Sequence, residues 1–372
     1  MSRPFRISLM ALNAAGGSGV PRYTATLARA LDEVSGEFPE LELSLVTTPA
    51  GAARVAPRRM AVHRLPARLP AGPVFRLALE QAAAPFLRSD LLHYFDVGGP
   101  LLAPGRPFVT TFHDASLHRR VDSYLTWARR LHKGRLYHWA LPRARRIVAV
   151  SQFAKDEAVR CFAADPARIV VVHSGPGLTP LPERGAPPSR PPFLLFVGTL
   201  TSRKNVPFLI RAYARAGAPV DLLLAGDPVE GAERAKIGEA IERSGRRDRI
   251  HLVASPPDEE LDRLYRGAVG LVLPSLYEGF GFPALEAMER GCPVLASDIP
   301  AFREVSGSGA MLLPLDEEAW AAAVGRLASD AGLRTELVAR GYETVRRYSW
   351  LETARGVCRL FLGLADGSSE RA

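Results

Sequence analysis

The stretch AVGLVLPSLYEGFGFPALEAMERGCPVLA, residues 268–296, decides the fold. It opens with a short apolar run that ends at Leu273 and passes a Gly-Phe-Gly turn at 279–281. Pro283 then stands ahead of the helix formers Ala-Leu-Glu-Ala-Met-Glu, and PVLA follows at 293–296. Pro is preorganised for a first helical turn, and unbroken apolar runs are the mark of strands buried on both faces. Strand, helix, strand in this order is a βαβ unit, which requires a parallel sheet.

The same rhythm extends in both directions. Upstream in this half lie FLLFV at 193–197, VDLLLA at 220–225 and RIHLV at 249–253, and downstream lies AMLL at 310–313. A second series precedes it: FRISLMAL at 5–12, LELSLVT at 41–47, LLHYF at 91–95, PFVTTF at 107–112, RIVAV at 146–150 and IVVVH at 169–173. Between the two series, GPGLTPLPERGAPPSRPP is too rich in Pro and Gly for a periodic element. The sequence therefore predicts an α/β protein of two Rossmann-like doubly wound domains. Their expected bounds are 1–178 for the N-terminal domain, 179–192 for a linker and 193–348 for the C-terminal domain. A closing helix and tail at 349–372, with Ser349 as its cap, is expected to pack back on the N-terminal domain. Open parallel sheets bind ligands at the carboxyl ends of their strands, so two such domains are expected to face each other across a binding cleft.

Composition bounds the function. The chain has 372 residues, 47% hydrophobic and 23% charged, which suits about two globular domains and excludes a fibre or a wholly disordered chain. Its formal net charge of +9 points to anionic partners such as phosphates, nucleotides, nucleic acid or acidic lipid surfaces. Cys161, Cys292 and Cys358 are odd in number and widely spaced, so neither a disulfide framework nor a cysteine-rich zinc site is indicated, and a reducing, cytoplasmic compartment is expected. The N-terminal run carries an Arg and leads straight into glycines, as a strand does and a signal peptide does not. No apolar stretch is long enough to span a bilayer, which leaves at most peripheral contact with the inner membrane face.

Four places can carry chemistry. Gly16-Gly17-Ser18-Gly19 follows the first strand and opens a helix, where exposed amides favour an anion, although a tight turn explains the glycines equally. His113-Asp114 lies just beyond the carboxyl end of a buried strand, where an imidazole and a carboxylate can exchange or orient a proton. Gly198 follows FLLFV, and Arg203-Lys204 stand before Asn205, read as a helix cap, and Pro207. Cations at a helix N-terminus oppose its dipole and make sense as an anion clamp. Glu278 before the Gly-Phe-Gly turn and Glu286 in the helix after it can accept paired sugar hydroxyls, beside the amides of Gly279, Phe280 and Gly281. No H-x-x-x-H, H-E-x-x-H or D-x-D cluster appears, so no protein-held catalytic metal is expected.

With these residues in view the chain resembles the retaining GT-B glycosyltransferases of family 4, the glycosyl transferases group 1. The resemblance runs from Gly16 to YSWLETA at 348–354 and rests on TFHDAS at 111–116, VAVSQFAKDE at 148–157, FVGTLTSRKN at 196–205, LLLAGD at 222–227 and LVLPSLYEGFGFPALEAMERGCPVLAS at 271–297. It implies transfer of a sugar from a nucleoside diphosphate donor, GDP- or UDP-linked, with retention and without a bound metal or other cofactor. Carried over by position, Lys204 with Arg203 would neutralise the departing diphosphate and Glu286 would accept the ribose hydroxyls. Glu278 with the amides of Phe280 and Gly281 would hold the donor sugar, His113 would sit beside it, and Gly17 and Gly19 would line the diphosphate. His113, Lys204, Arg203 and Glu278 are thus the expected catalytic group. Thr199 stands where many relatives carry Arg.

Mannose is the first expectation for the sugar and a glycan or lipid-linked molecule for the acceptor. Residues 118–146 interleave Arg and Lys with Trp127, Tyr137 and Trp139, which suits an anionic membrane surface or, equally, a solvated helix over an ordinary core. No motif for nucleic acid accompanies these charges. A sugar-nucleotide 2-epimerase of the same architecture, or a non-catalytic nucleotide or polyanion binder, are the alternatives.

Overall fold

The computed structural model describes residues 3–16, 19–66, 73–119, 127–177, 191–227 and 231–367, with backbone alone at 73–76, 117 and 127–133. The chain divides into two compact units: residues 1–114, 132–177 and 348–372 form the first, and 115–131 and 178–347 the second.

In the first unit the strands are β1 (Phe5–Met10), β2 (Leu41–Thr47), β3 (Ala61–Arg64), β4 (Leu91–Tyr94), β5 (Phe108–Phe112), β6 (Arg146–Ala149) and β7 (Ile169–Val171). They form a parallel sheet in the order β3-β2-β1-β4-β5-β6-β7. In the second unit β8 (Phe193–Val197), β9 (Asp221–Gly226), β10 (Ile250–Ala254), β11 (Gly270–Leu273), β12 (Val294–Ser297) and β13 (Ala310–Leu313) are ordered β10-β9-β8-β11-β12-β13, again parallel. Both orders reverse beside the first strand of the unit, between β1 and β4 and between β8 and β11. A doubly wound sheet opens a crevice at such a point, because successive helices leave to opposite faces.

The cores follow from the strand sequences. Every residue of β8, β11 and β12 is buried, as their unbroken apolar runs require of strands covered on both sides. One covering layer pairs the helix Val206–Ala216 with Glu317–Ser329, where Phe208 meets the fully buried Trp320 edge to face at 5.5 Å. Burying each such side chain stabilises the unit by about 1.5–3 kcal/mol. In the first unit the helices Gly19–Val34 and Trp350–Ala365 pack together. Arg355 reaches Glu37 across that contact with paired bonds of 2.7 and 2.8 Å, and Trp350 Nε1 donates to the Pro176 carbonyl at 2.5 Å.

Two local expectations are corrected, and one strand is added. Asn205 caps no amide with its side chain: it takes a left-handed conformation, φ 55°, and closes the helix start through its backbone carbonyl, which accepts from Phe208 and Leu209. Ser349 likewise makes no side-chain cap; its carbonyl accepts from Thr353. The strand β3 was not expected at all. Its sequence, AVHR, has one large apolar residue and lies at the sheet edge, so it carries no burial pattern. It is held instead by Asp32, whose buried carboxylate accepts the amides of Arg58, Arg59 and Met60 at 2.7–2.9 Å. The linker expected at 179–192 lies, up to residue 190, outside the described residues.

Candidate active site at the β8/β11 crevice

The second unit assembles three of the expected residues at its switch point. After β8 the chain makes a tight helical turn, Ser202–Lys204, before the helix from Val206, and this lifts Arg203 and Lys204 to the carboxyl end of the sheet. The neighbouring strand β11 runs out into Pro274–Glu278. There Lys204 Nζ donates to Glu278 Oε1 at 2.5 Å, Arg203 donates to Oε2 at 2.9 Å, and Ser275 Oγ donates to Oε1 at 2.7 Å. The Leu276 amide donates to the Arg203 carbonyl at 2.7 Å and Ser297 Oγ to the Ser275 carbonyl at 2.5 Å, so β8, β11 and β12 all bear on the cluster.

Lys204 and Glu278 are 5% and 6% exposed, low enough for the charges to act on each other with little solvent screening. Burial alone would raise the Glu278 carboxyl; the Lys204 and Arg203 charges and the bonds from Lys204 and Ser275 outweigh it and hold it down at about 2. Two cations and one anion leave a net positive charge. That suits a ligand more negative than Glu278 alone can balance.

Glycines set the approach. Gly226, which ends β9, has φ 152°, and a Cβ there would lie 2.1 Å from the carbonyl oxygen of Gly198, so no larger residue fits. Gly198, φ 152°, donates its amide to Ala225 and lies against the Lys204 side chain. Gly281, φ 104°, caps the helix Phe282–Glu289 without a side chain, with Pro283 in the first turn and buried Gly279 and Phe280 just before it. Glu286, 2% exposed, lies in the helix after the turn, and its Oε2 accepts from Tyr265 Oη at 2.7 Å. Ser275 and Tyr265 were not anticipated. Ser275 could have been found, since it stands three residues before Glu278 at the same strand end, whereas nothing local ties Tyr265 to a residue 21 positions away.

In the first unit, His113 follows β5 and its Nε2 lies 2.8 Å from the Phe95 carbonyl, at the end of β4. A carbonyl only accepts, so Nε2 carries the hydrogen and Nδ1 is the acceptor of the neutral ring. Tyr23 from the helix Gly19–Val34 meets the imidazole edge to face at 4.6 Å. Gly19 opens that helix and is exposed; Gly17 lies outside the described residues. Within 118–146, Tyr137 is buried against Phe112 and Phe162, Trp139 stacks on Phe108, and Arg143 lies over Trp139 at 5.4 Å. These two aromatics serve the core, with arginine covering it. Trp127 has no described side chain. Among the described residues no helix is long and apolar enough to cross a membrane.

Residues 180–344 match the family Glycosyl transferases group 1, and residues 17–176 match Glycosyltransferase Family 4. The chain is 32% identical over 260 residues to O-antigen chain mannosyltransferase B of Escherichia coli, covering 65% of this chain and 66% of that protein. It is 33% identical over 190 residues to the D-inositol 3-phosphate glycosyltransferase of Corynebacterium urealyticum, covering 47% and 45%. The matches thus span about two thirds or less of these relatives. Over nearly full length the fold is that of sucrose-phosphate synthase from Thermosynechococcus elongatus, with a TM-score of 0.72, 21% identity and coverage of 98% of this chain and 100% of that one. HepE of Anabaena in complex with UDP-glucose gives 0.71 and 17%, covering 96% and 99%. Two doubly wound parallel units, the Lys204–Glu278–Arg203 cluster at the second unit's switch point and matches over both halves lead to one assignment: the chain belongs to the glycosyl transferases group 1, family 4, with the GT-B fold.

Proposed function

We propose that this chain is a retaining hexosyltransferase that moves a sugar from a GDP- or UDP-linked donor to a glycan or lipid-linked acceptor. The observation that carries this reading is the buried Lys204–Glu278–Arg203 cluster at the β8/β11 crevice. Breaking the bond between an anomeric carbon and a diphosphate puts negative charge on the leaving oxygen. Cations held in place before the donor arrives stabilise that charge without reorganising. Glu278 does the holding, and the first-turn amides of Phe282–Glu289 add positive potential. Glu286 accepts the ribose hydroxyls, and His113 Nδ1 accepts from a hydroxyl of the donor sugar. The diphosphate charge is met by Lys204 and Arg203 in place of a metal ion. With the leaving group stabilised in this way, the acceptor hydroxyl attacks on the face the diphosphate leaves, its proton passes to the departing diphosphate oxygen, and the anomeric configuration is retained.

Mannose is the first sugar to test. Supporting it are two relatives whose names carry that sugar, the Escherichia coli protein above and O-antigen chain mannosyltransferase RfbU of Salmonella typhimurium, 26% identical over 215 residues. UDP-glucose is the second donor, because a protein of this fold has been solved with it. A thermal-shift panel of nucleotide sugars identifies the donor, since the tightest binder raises Tm most. The product's one-bond coupling between the anomeric carbon and its proton then reads the stereochemistry, for mannose as for glucose. Retention supports the account and inversion overturns it; sugar interconversion with donor alone would identify an epimerase instead.

A further inference from the structure

We infer that Tyr265 is a positioning residue for the ribose contact, holding the Glu286 carboxylate in the orientation that accepts the donor's vicinal diol. The inference rests on the reading of Glu286 given above. The helix Asp258–Gly267 presents Asp262 and Tyr265, three residues apart and so on one face, and Phe282–Glu289 with the residue after it presents Glu286 and Arg290, four apart. These pairs meet in register. Tyr265 Oη donates to Glu286 Oε2 at 2.7 Å, and Arg290 Nε donates to Asp262 Oδ1 at 2.7 Å. Arg290 also donates to the Glu286 carbonyl at 3.0 Å and lies 5.8 Å from the centre of the Tyr265 ring.

All four side chains are buried, Tyr265 completely and Asp262, Glu286 and Arg290 to within 5%. The phenol is therefore clamped by its own helix and by Arg290, and its hydroxyl can meet the carboxylate in one direction only. A hydrogen bond to a carboxylate is stronger and more directional than a neutral one. Pinning Oε2 fixes the plane of the carboxylate and with it the direction in which Oε1 accepts. A diol demands such fixed geometry; a diphosphate or a sugar held elsewhere does not.

The test compares binding of a ribonucleoside diphosphate and its 2′,3′-dideoxy counterpart by calorimetry, using UDP or GDP, whichever raises Tm more. Wild type is expected to prefer the ribo form. In Tyr265→Phe that preference falls about tenfold, the size expected for losing one hydrogen bond to a charged group. The loss appears in weaker ribo binding and a higher donor KM, with kcat changed by less than about threefold. In a Glu286→Ala background, which removes both the acceptor for Tyr265 and the ribose contact, Tyr265→Phe changes the preference no further. The ratio is internal to each preparation, and Tyr265→Met repeats the test if the Phe variant loses its melting transition. An unchanged ratio in Tyr265→Phe, beside a wild type that discriminates, overturns the positioning role and leaves the Glu286 contact standing. A wild type that does not discriminate overturns both.

Discussion

Glu278 is a carboxylate buried among two cations and a hydroxyl, and its depressed titration has a consequence for stability. A carboxyl near its ordinary value of 4.5 when unfolded and near 2 when folded contributes its full stabilisation above pH 4.5 and loses it as pH falls towards 2. Glu278→Gln should flatten the acid limb of a Tm-against-pH profile in that window, by on the order of a few kcal/mol. An unchanged limb would show that other carboxylates set it. Glu286→Ala removes a different function: donor affinity should fall at least about tenfold while the melting transition persists, as equilibrium binding would show. Of these residues, the sequence made Glu278, Glu286, Arg203 and Lys204 visible because charged groups beside glycines at strand ends serve no packing need. It did not reveal that Glu278 closes on Arg203 and Lys204. That pairing spans about 75 residues and exists only because β8 and β11 are neighbours.

At the scale of elements, buried strands were readable almost to the residue. LELSLVT, FLLFV and AMLL form β2, β8 and β13 with the expected bounds. In β8 burial on both faces imposes an apolar residue at every position, whereas β2 sets buried Leu41, Leu43 and Leu45 against exposed Glu42, and β13 keeps an apolar run although it is only partly buried. Edge strands and caps obey weaker rules. β3 is positioned by Asp32 rather than by its own side chains, and Asn205 and Ser349 cap through carbonyls that any residue possesses. Close packing of turns yields a paired prediction. Gly226→Ala drives a Cβ into the Gly198 carbonyl and should lower stability by about 3 kcal/mol or more, whereas Gly238→Ala, mid-helix with nothing within 4 Å, should raise it by about 0.5–1 kcal/mol. Denaturant midpoints of the two variants check both signs. Burial sets a third. His93, at the centre of the first sheet and bonded to Thr111, is pushed down to about 3 by desolvation and is neutral in the folded protein. It contributes stability above pH 6.5 that is lost as pH falls towards 3, so His93→Phe should reduce the pH dependence there, as unfolding across that range would read.

The whole molecule repeats one design twice: each unit is a parallel sheet whose order reverses beside its first strand, and each places its candidate ligand residues at the carboxyl ends of its strands, in the second unit on the two that flank the reversal and in the first after β5, one strand beyond it. His113 reaches Phe95 at the ends of β5 and β4, and Lys204 reaches Glu278 at the ends of β8 and β11. The thiols report on the integrity of both units. Cys292 in the second and Cys358 in the first are buried and pushed up to about 12, while Cys161 is part-exposed. A thiol-specific reagent should therefore label Cys161 alone in the native protein and all three after denaturation.

The central claim is that positive charge fixed in the second unit carries away the charge of the leaving diphosphate. The most direct measurement is kcat for sugar transfer by Lys204→Met, at saturating donor and with circular dichroism confirming the fold. The account predicts a fall of about a hundredfold or more, as for removal of a preorganised group at a developing anion. A folded Lys204→Met enzyme that turns over at the wild-type rate would contradict it.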